Sequence, residues 1–259
     1  MNSLIHPRAI VSPETIIGSG VSIDADAVID ADVVIGDGCH ISPRAHLYPG
    51  VRLGENVKVF DGAIVGSPPQ DMKFEGQTAG LIIGSHTTLR EYTTLNSSVD
   101  THIPTKVGER CLVMAYAHVA HDCVLENDVV LANRVQLGGH VFIGQGAVLG
   151  GGVAVQQFTR IGEYSFMGGT LKVVRDVPPW SRALGEPLKW AGLNIVGLRK
   201  AGFDSIQIKT FRKILDVAFA SGSIKVKLED IVVDQTVDEY SRKTISKWIE
   251  NAKNGVVRP

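Results

Sequence analysis

The sequence predicts a mainly β fold, a parallel β-helix followed by a small α-helical domain, and three observations carry that prediction. The first is a period of six. Stepping by six from Ile5 to Val173 visits 29 positions, and 26 of them are Ile, Leu, Val or Met. The exceptions are Asp71, Gln77 and Thr101. Second, two further columns keep the same frame. Gly often follows the aliphatic residue (Gly18, Gly36, Gly54, Gly84, Gly108, Gly144), and a small or β-branched residue often lies four places after it (Ala9, Thr15, Val21, Ala27, Val33, Ala45). Third, the composition changes at Trp180: all three Trp lie at or beyond it, in a chain with 28 Gly and only 6% aromatic residues.

Period six fits neither an amphipathic helix nor an alternating strand. It fits a triangular coil of three hexapeptides, in which the aliphatic residue fills the interior and Gly is expected to supply the turn. At about 4.8 Å per coil, nearly ten coils make a prism of roughly 45 Å. In chain order, residues 1–66 read as unbroken coils. Residues 67–80 (SPPQDMKFEGQTAG) and 100–106 (DTHIPTK) leave the frame and read as excursion loops. Loops leaving a rigid scaffold are where function concentrates. Coils resume and end at Val177, and Pro178-Pro179 closes a first domain, 1–179. The remainder, 180–259, reads as a linker and helical domain. A helix is expected over Ser205–Ala220, beginning with a Ser cap and stopping at Ser221-Gly222. A second is expected over 237–252. The basic residues Lys200, Lys209, Arg212 and Lys213 form either a solvated face or a dock for an acidic partner.

Charge and composition exclude several classes. A net charge of −1 leaves no basic field for nucleic acid. There is neither an apolar run long enough to span a bilayer nor a signal-like N-terminus, so a cytoplasmic protein is expected. Cys39, Cys111 and Cys123 fall in the small-residue column and read as core residues, without redox or metal roles.

The densest chemistry lies between Val113 and Val141. With about 18 residues per coil, His121, Gly139 and Gln157 fall on one column, and Asp122 and His140 on its neighbour. Both columns face outward. A base beside a carboxylate, above a backbone position without Cβ, is a kit for acyl transfer. The imidazole takes a proton, the carboxylate favours the imidazolium, and a Gly N–H can meet an oxyanion.

The segments HVAHDC (118–123), QLGGHV (136–141), AVQQF (154–158), DVPPW (176–180), GLNIVGLRKAGF (192–203), PQDMKFEG (69–76) and REYTTLN (90–96) resemble the UDP-N-acetylglucosamine O-acyltransferases of lipid A biosynthesis. The resemblance covers essentially the whole chain. It implies a left-handed β-helix, a homotrimer, and transfer of an (R)-3-hydroxyacyl group to the glucosamine 3-position of the UDP-sugar. The acyl donor is the phosphopantetheine thioester of acyl carrier protein, and no resident cofactor or metal is expected. Carried over by residue, it implies His121 as general base oriented by Asp122, with Gly139 as oxyanion donor. Asp71, Lys73, His118, His140 and Gln157 would contact sugar and phosphates. Asn194 with Arg199 and Lys200 would hold the UDP end. The family site lies between subunits.

The chain departs from the family pattern at four places. Gln156 stands where His precedes the Gln of AVxQF, and Asn96 where TIH is usual. Val196 replaces an acidic residue, and Gly185-Glu186 replaces GN. A sister acyltransferase of the same fold, acting on a 3-amino UDP-sugar to give an amide or on another nucleotide-sugar, therefore stays open. Gly169 and Lys172 lie one to three coils beyond the site and are expected to border the acyl groove, with Lys172 limiting chain length. The same solenoid with metal-binding His, as in γ-type carbonic anhydrases, and a non-catalytic assembly module are the competing readings.

Overall fold

The computed structural model describes residues 3–220, 223–250 and 252–259. Twenty-six short strands, from Leu4–Ile5 to Lys172–Val173, wind into a parallel β-helix with three faces. Every third strand joins the same sheet. The first face stacks ten parallel strands, from Leu4–Ile5 up to Ser181–Leu184, and ends on the antiparallel strand Lys189–Leu193. The second face runs from Ile10–Val11 to Lys172–Val173, and the third from Ile16–Ile17 to Arg160–Ile161. Along the coils from Val21 onward the frame aliphatic and the residue four places on point inward, forming one continuous core that extends through Val177 to Ala183 and Val257, with all three cysteines in it. The repeat is thus the core itself, and burial of those side chains drives the coiling.

Corner chemistry differs from the expectation that the Gly after the aliphatic makes the turn. The left-handed residue is three places after the aliphatic. It is Gly in some coils, but Asp26, Asp32, Arg44, Asn56, Tyr92, Asp122 and His140 adopt it too, with φ between 54° and 62°. The Gly after the aliphatic has a different cause. A Cβ on Gly36 would lie 2.5 Å from the Gly54 carbonyl oxygen, and one on Gly84 would lie 2.5 Å from the Gly108 carbonyl carbon. These glycines permit close approach between stacked coils rather than positive φ.

Both excursions appear as insertions in the stacking register. Ser22 pairs with His40, a step of 18, whereas Lys58 pairs with Thr88, a step of 30, and Thr94 with His118, a step of 24. Twelve and six residues are therefore added at one corner. The second insertion ends earlier than 106, because the strand Thr105–Val107 already belongs to the third face.

The hairpin Ser181–Leu184/Lys189–Leu193 carries the first face past Trp180, so the change in composition precedes the last strand on the solenoid. Among the described residues four helices follow: α1 (Ile195–Lys200), α2 (Ser205–Ala220), α3 (Ile224–Val233) and α4 (Glu239–Ile249). They pack around Trp180, Phe211 and Trp248 in a second core, with Trp180 stacked on Phe211 at 4.3 Å. α2 spans the expected residues, but its cap is Asp204 and not Ser205. Asp204 Oδ1 accepts the N–H groups of Ile206 and Gln207 at 2.7 and 2.8 Å. The expected stop at Ser221-Gly222 lies outside the described residues. α4 covers the middle of the second expected helix, with Asp238 as cap. α1, α3 and the hairpin had no sequence expectation.

Candidate active site

His121 and Asp122 sit at the corner between the second face (His118–Val119) and the third (Val124–Leu125). Asp122 is the left-handed residue of that corner, with φ 57°. This conformation folds its carboxylate back to its neighbour, and His121 Nδ1 lies 2.7 Å from Asp122 Oδ2. The ring edge bearing Nε2 then rests over Gly139 on the next coil. A Cβ there would lie 2.5 Å from His121 Cε1 and 2.6 Å from Nε2. Gly139 is therefore obligatory for the imidazole to lie where it does. The stacking is held by His140 N–H donating to the His121 carbonyl at 3.0 Å and Phe158 N–H donating to the Gly139 carbonyl at 3.0 Å.

The Gly139 N–H finds no acceptor among the described residues. At the same position of other hexapeptides, the N–H groups of Ser19, Glu109 and Gln145 donate to side-chain oxygens of Asp37, Asn127 and Glu126. A free N–H beside the reactive face of an imidazole can bind an oxyanion. The pair is more enclosed than an outward column suggests. His121 is only 5% exposed, because Asp122 and His140 wall it in, the latter as a T-shaped ring contact at 5.2 Å. His140 itself stacks on Phe158 at 4.7 Å.

One coil edge away, His118 Nδ1 meets Thr94 Oγ1 at 2.7 Å. Burial holds the His118 imidazole below its usual range; a hydrogen bond to the Thr94 backbone opposes this, while nearby His121 adds to it. Gln157 is exposed on the coil above Gly139, and its carbonyl accepts from Asn254 Nδ2 at 3.3 Å. Asp71 and Lys73 lie on the first excursion, where Asp71 Oδ1 accepts the Lys73 N–H at 2.8 Å. Asn96 is buried and anchors that loop, donating to Ser67 Oγ at 2.9 Å and to the Pro68 carbonyl at 3.0 Å. Lys172 is exposed on the second face, three strands above His118 through Gln136 and Ala154. Gly169 is in the turn at the other edge of that face. Among the described residues, His121, Asp122 and His140 each offer a ligand atom within 4.8 Å of one another, a set a cation could use. Asp122 is already engaged by the His121 Nδ1 contact and by two backbone N–H groups.

The residues expected at the UDP end are elsewhere. Asn194 and Lys200 line a cavity of about 710 Å³ on the outer side of the first face, with Val148, Phe166 and Val196. That face is opposite the His121 corner. It is also two to four strands higher, since Leu112 stacks through Val130 to Val148, Phe166 and Arg182. Arg199 is exposed and does not line the cavity; its cations are Arg182, Lys200 and Arg212. The Asn194 amide is committed to structure: Oδ1 caps α1 through Gly197 N–H at 3.1 Å, and Nδ2 donates to the Tyr164 carbonyl at 2.9 Å. Sequence reasoning placed Arg212 only on a basic helix face and singled out no role for Arg182. Nothing local marks a residue that reaches a cavity through tertiary packing.

Comparison with known proteins decides the family. Residues 176–257 match Udp N-acetylglucosamine O-acyltransferase, Domain 2, and residues 32–67 and 104–139 match the bacterial transferase hexapeptide repeats. An acyl-[acyl-carrier-protein]–UDP-N-acetylglucosamine O-acyltransferase from Nautilia profundicola is 34% identical over 79% of this chain and 79% of its own length. The chain belongs to that acyltransferase family. Its relative from Gloeothece citriformis is 36% identical over 69% of this chain, which spans 65% of that relative's length. The structure of LpxA from Acinetobacter baumannii has 32% identity and a TM-score of 0.92, covering 98% of this chain and 100% of that one. Among the described residues no helix is long and apolar enough to cross a membrane.

Proposed function

We propose that this chain transfers an (R)-3-hydroxyacyl group from the phosphopantetheine thioester of acyl carrier protein to the 3-position of the glucosamine of UDP-N-acetylglucosamine, the first step of lipid A biosynthesis, as a cytoplasmic homotrimer. The observation that carries this reading is the His121 ring, held at Nδ1 by a carboxylate and resting over a glycine whose N–H meets no acceptor among the described residues. In it, His121 Nε2 takes the proton of the acceptor as its oxygen attacks the thioester carbonyl. Asp122 stabilises the imidazolium, and the Gly139 N–H meets the oxyanion. Collapse breaks the carbon–sulfur bond, and the imidazolium returns its proton to the leaving thiolate.

Asp71, Lys73, His118, His140 and Gln157 surround the sugar and phosphates in this reading. Lys200, with Arg182 and Arg212, offers cations to the pyrophosphate. The Asn194 cavity faces away from His121 of the same chain, so a neighbouring copy has to supply it. Gly169 and Lys172 border the acyl groove. Nothing in the scheme requires a metal, because Nδ1 is held by Asp122 and Nε2 is the reacting atom.

The test is to incubate the protein with a panel of acyl carrier protein thioesters and two acceptors, the 3-hydroxy and 3-amino UDP-sugars, and weigh the products. A product heavier by one hydroxyacyl group, formed with the 3-hydroxy acceptor, is expected. Acylation of only the 3-amino sugar would move the acceptor assignment, and acylation of neither would overturn the reading.

A further inference from the structure

We propose that Asp100 is a positioning residue for the His121–Asp122 pair, acting through the backbone of the inserted segment that precedes Thr105; the inference rests on the catalytic reading above. Asp122 is not held as other corner aspartates are. Asp26 and Asp128, also left-handed, pair with Arg8 and Arg110. Asp122 instead takes backbone amides. The Val99 N–H donates to Oδ2 at 3.2 Å and the Asp100 N–H to Oδ1 at 3.1 Å, leaving Oδ2 also bound to His121 Nδ1 at 2.7 Å. Its own N–H donates to Thr105 Oγ1 at 2.8 Å. Its side chain is 9% exposed, so few other donors can replace those amides.

Two amides can aim a carboxylate only if their own segment is fixed. Asp100 fixes it. Its Oδ1 accepts the N–H groups of His102 and Ile103 at 2.7 and 2.8 Å, closing a turn of the kind Asp favours. Those two donors hold its carboxyl below the usual range. The Asp100 carbonyl is a second fastening. It accepts the Ala79 N–H at 2.9 Å and the Ser98 hydroxyl at 2.8 Å. Thr78 Oγ1 in turn donates to the Ser98 carbonyl at 2.6 Å. One residue thus ties the end of the excursion carrying Asp71 and Lys73 to the carboxylate that orients the base. The six residues inserted between Thr94 and His118 bring those amides to Asp122.

The experiment is a double-mutant cycle on the full chain with steady-state kinetics. Asp100→Ala removes the turn acceptor, whereas Asp100→Asn keeps an oxygen at the same place. Asp100→Ala is expected to lower kcat by at least about tenfold with KM for the acyl donor changed less than about threefold, and Asp100→Asn to stay within about threefold of wild type. In an Asp122→Asn background, Asp100→Ala is expected to change kcat by less than about twofold, because the residue it acts through is already altered. A spectroscopic readout stands apart from turnover. The downfield proton of the His121 Nδ1–H···Asp122 contact is expected in wild type and Asp100→Asn and lost in Asp100→Ala, and its loss is informative even where that variant is less stable. Wild-type kcat in Asp100→Ala, an equal fold-loss in both backgrounds, or retention of that proton would overturn the proposal. Absence of transfer by the wild type would instead refute the catalytic reading, and the proton signature would still test the positioning.

Discussion

At the scale of the residue, the site depends on the contact between an imidazole and an absent side chain. His121 occupies the space a Cβ on Gly139 would fill, at 2.5 Å from Cε1. Gly139→Ala is therefore expected to push the ring off Asp122 and lower kcat by about 10²-fold or more, while the coil stays folded. Comparison of kcat with the thermal midpoint of the same variant checks this; a normal kcat would show that the ring has room to spare. Counting by 18 was enough to place His121 over Gly139 and Asp122 beside His140. It did not reveal why the pair is buried or what aims the carboxylate. Val99 and Asp100 lie 23 and 22 residues before Asp122, inside a segment with no period, and they act through backbone N–H groups that carry no side-chain signature.

At the scale of the element, the solenoid was legible because its core is its repeat, and the helical domain was legible only in part. α2 carries its apolar residues at helical spacing. α3 does not: Ile224-Lys225-Val226-Lys227-Leu228 alternates as a strand would, and it becomes helical under the Ser223 cap and by packing on α2 and α4. Turn chemistry is hidden in the sequence for a related reason. Sequence shows that Gly recurs in a column, but only stacked coils show whether φ or crowding demands it.

The clasp between α4 and the solenoid gives a prediction about stability. Lys247 pairs with Glu126 and lies 3.8 Å from Glu163. The hydroxyls of Tyr240 and Thr244 both donate to Glu163 at 3.3 Å. Burial first, then the Glu126 charge, pushes the Glu163 carboxyl up, against the pull of Lys247. A carboxyl raised in the folded state stabilises most below its unfolded value and loses that contribution as pH rises through the folded value. Glu163→Gln is thus expected to remove part of the stability lost between acid and neutral pH, and to leave neutral-pH stability within about 1 kcal/mol of wild type. Urea midpoints across that range check it; a pH dependence identical to wild type would show that Lys247 compensates the burial.

At the scale of the whole molecule, the triangular cross-section separates the two halves of the candidate site. His121 is on the corner between the second and third faces, and the cavity with Lys200, Arg182 and Arg212 is on the first face, opposite it. One chain cannot close both around one UDP-sugar. A neighbouring copy presenting its first face to this corner can, which is why a shared site belongs to the proposed trimer. The measurement that tests the account most directly is turnover in a mixed assembly. His121→Ala chains and Lys200→Glu chains are each made alone and also co-expressed, with mixed oligomers confirmed by mass. Each variant alone is expected to lose about 10²-fold or more in kcat, and the mixture to recover activity, because some sites then join an intact His121 to an intact cavity. Wild-type turnover by His121→Ala alone, or no recovery in confirmed mixed assemblies, would contradict the account.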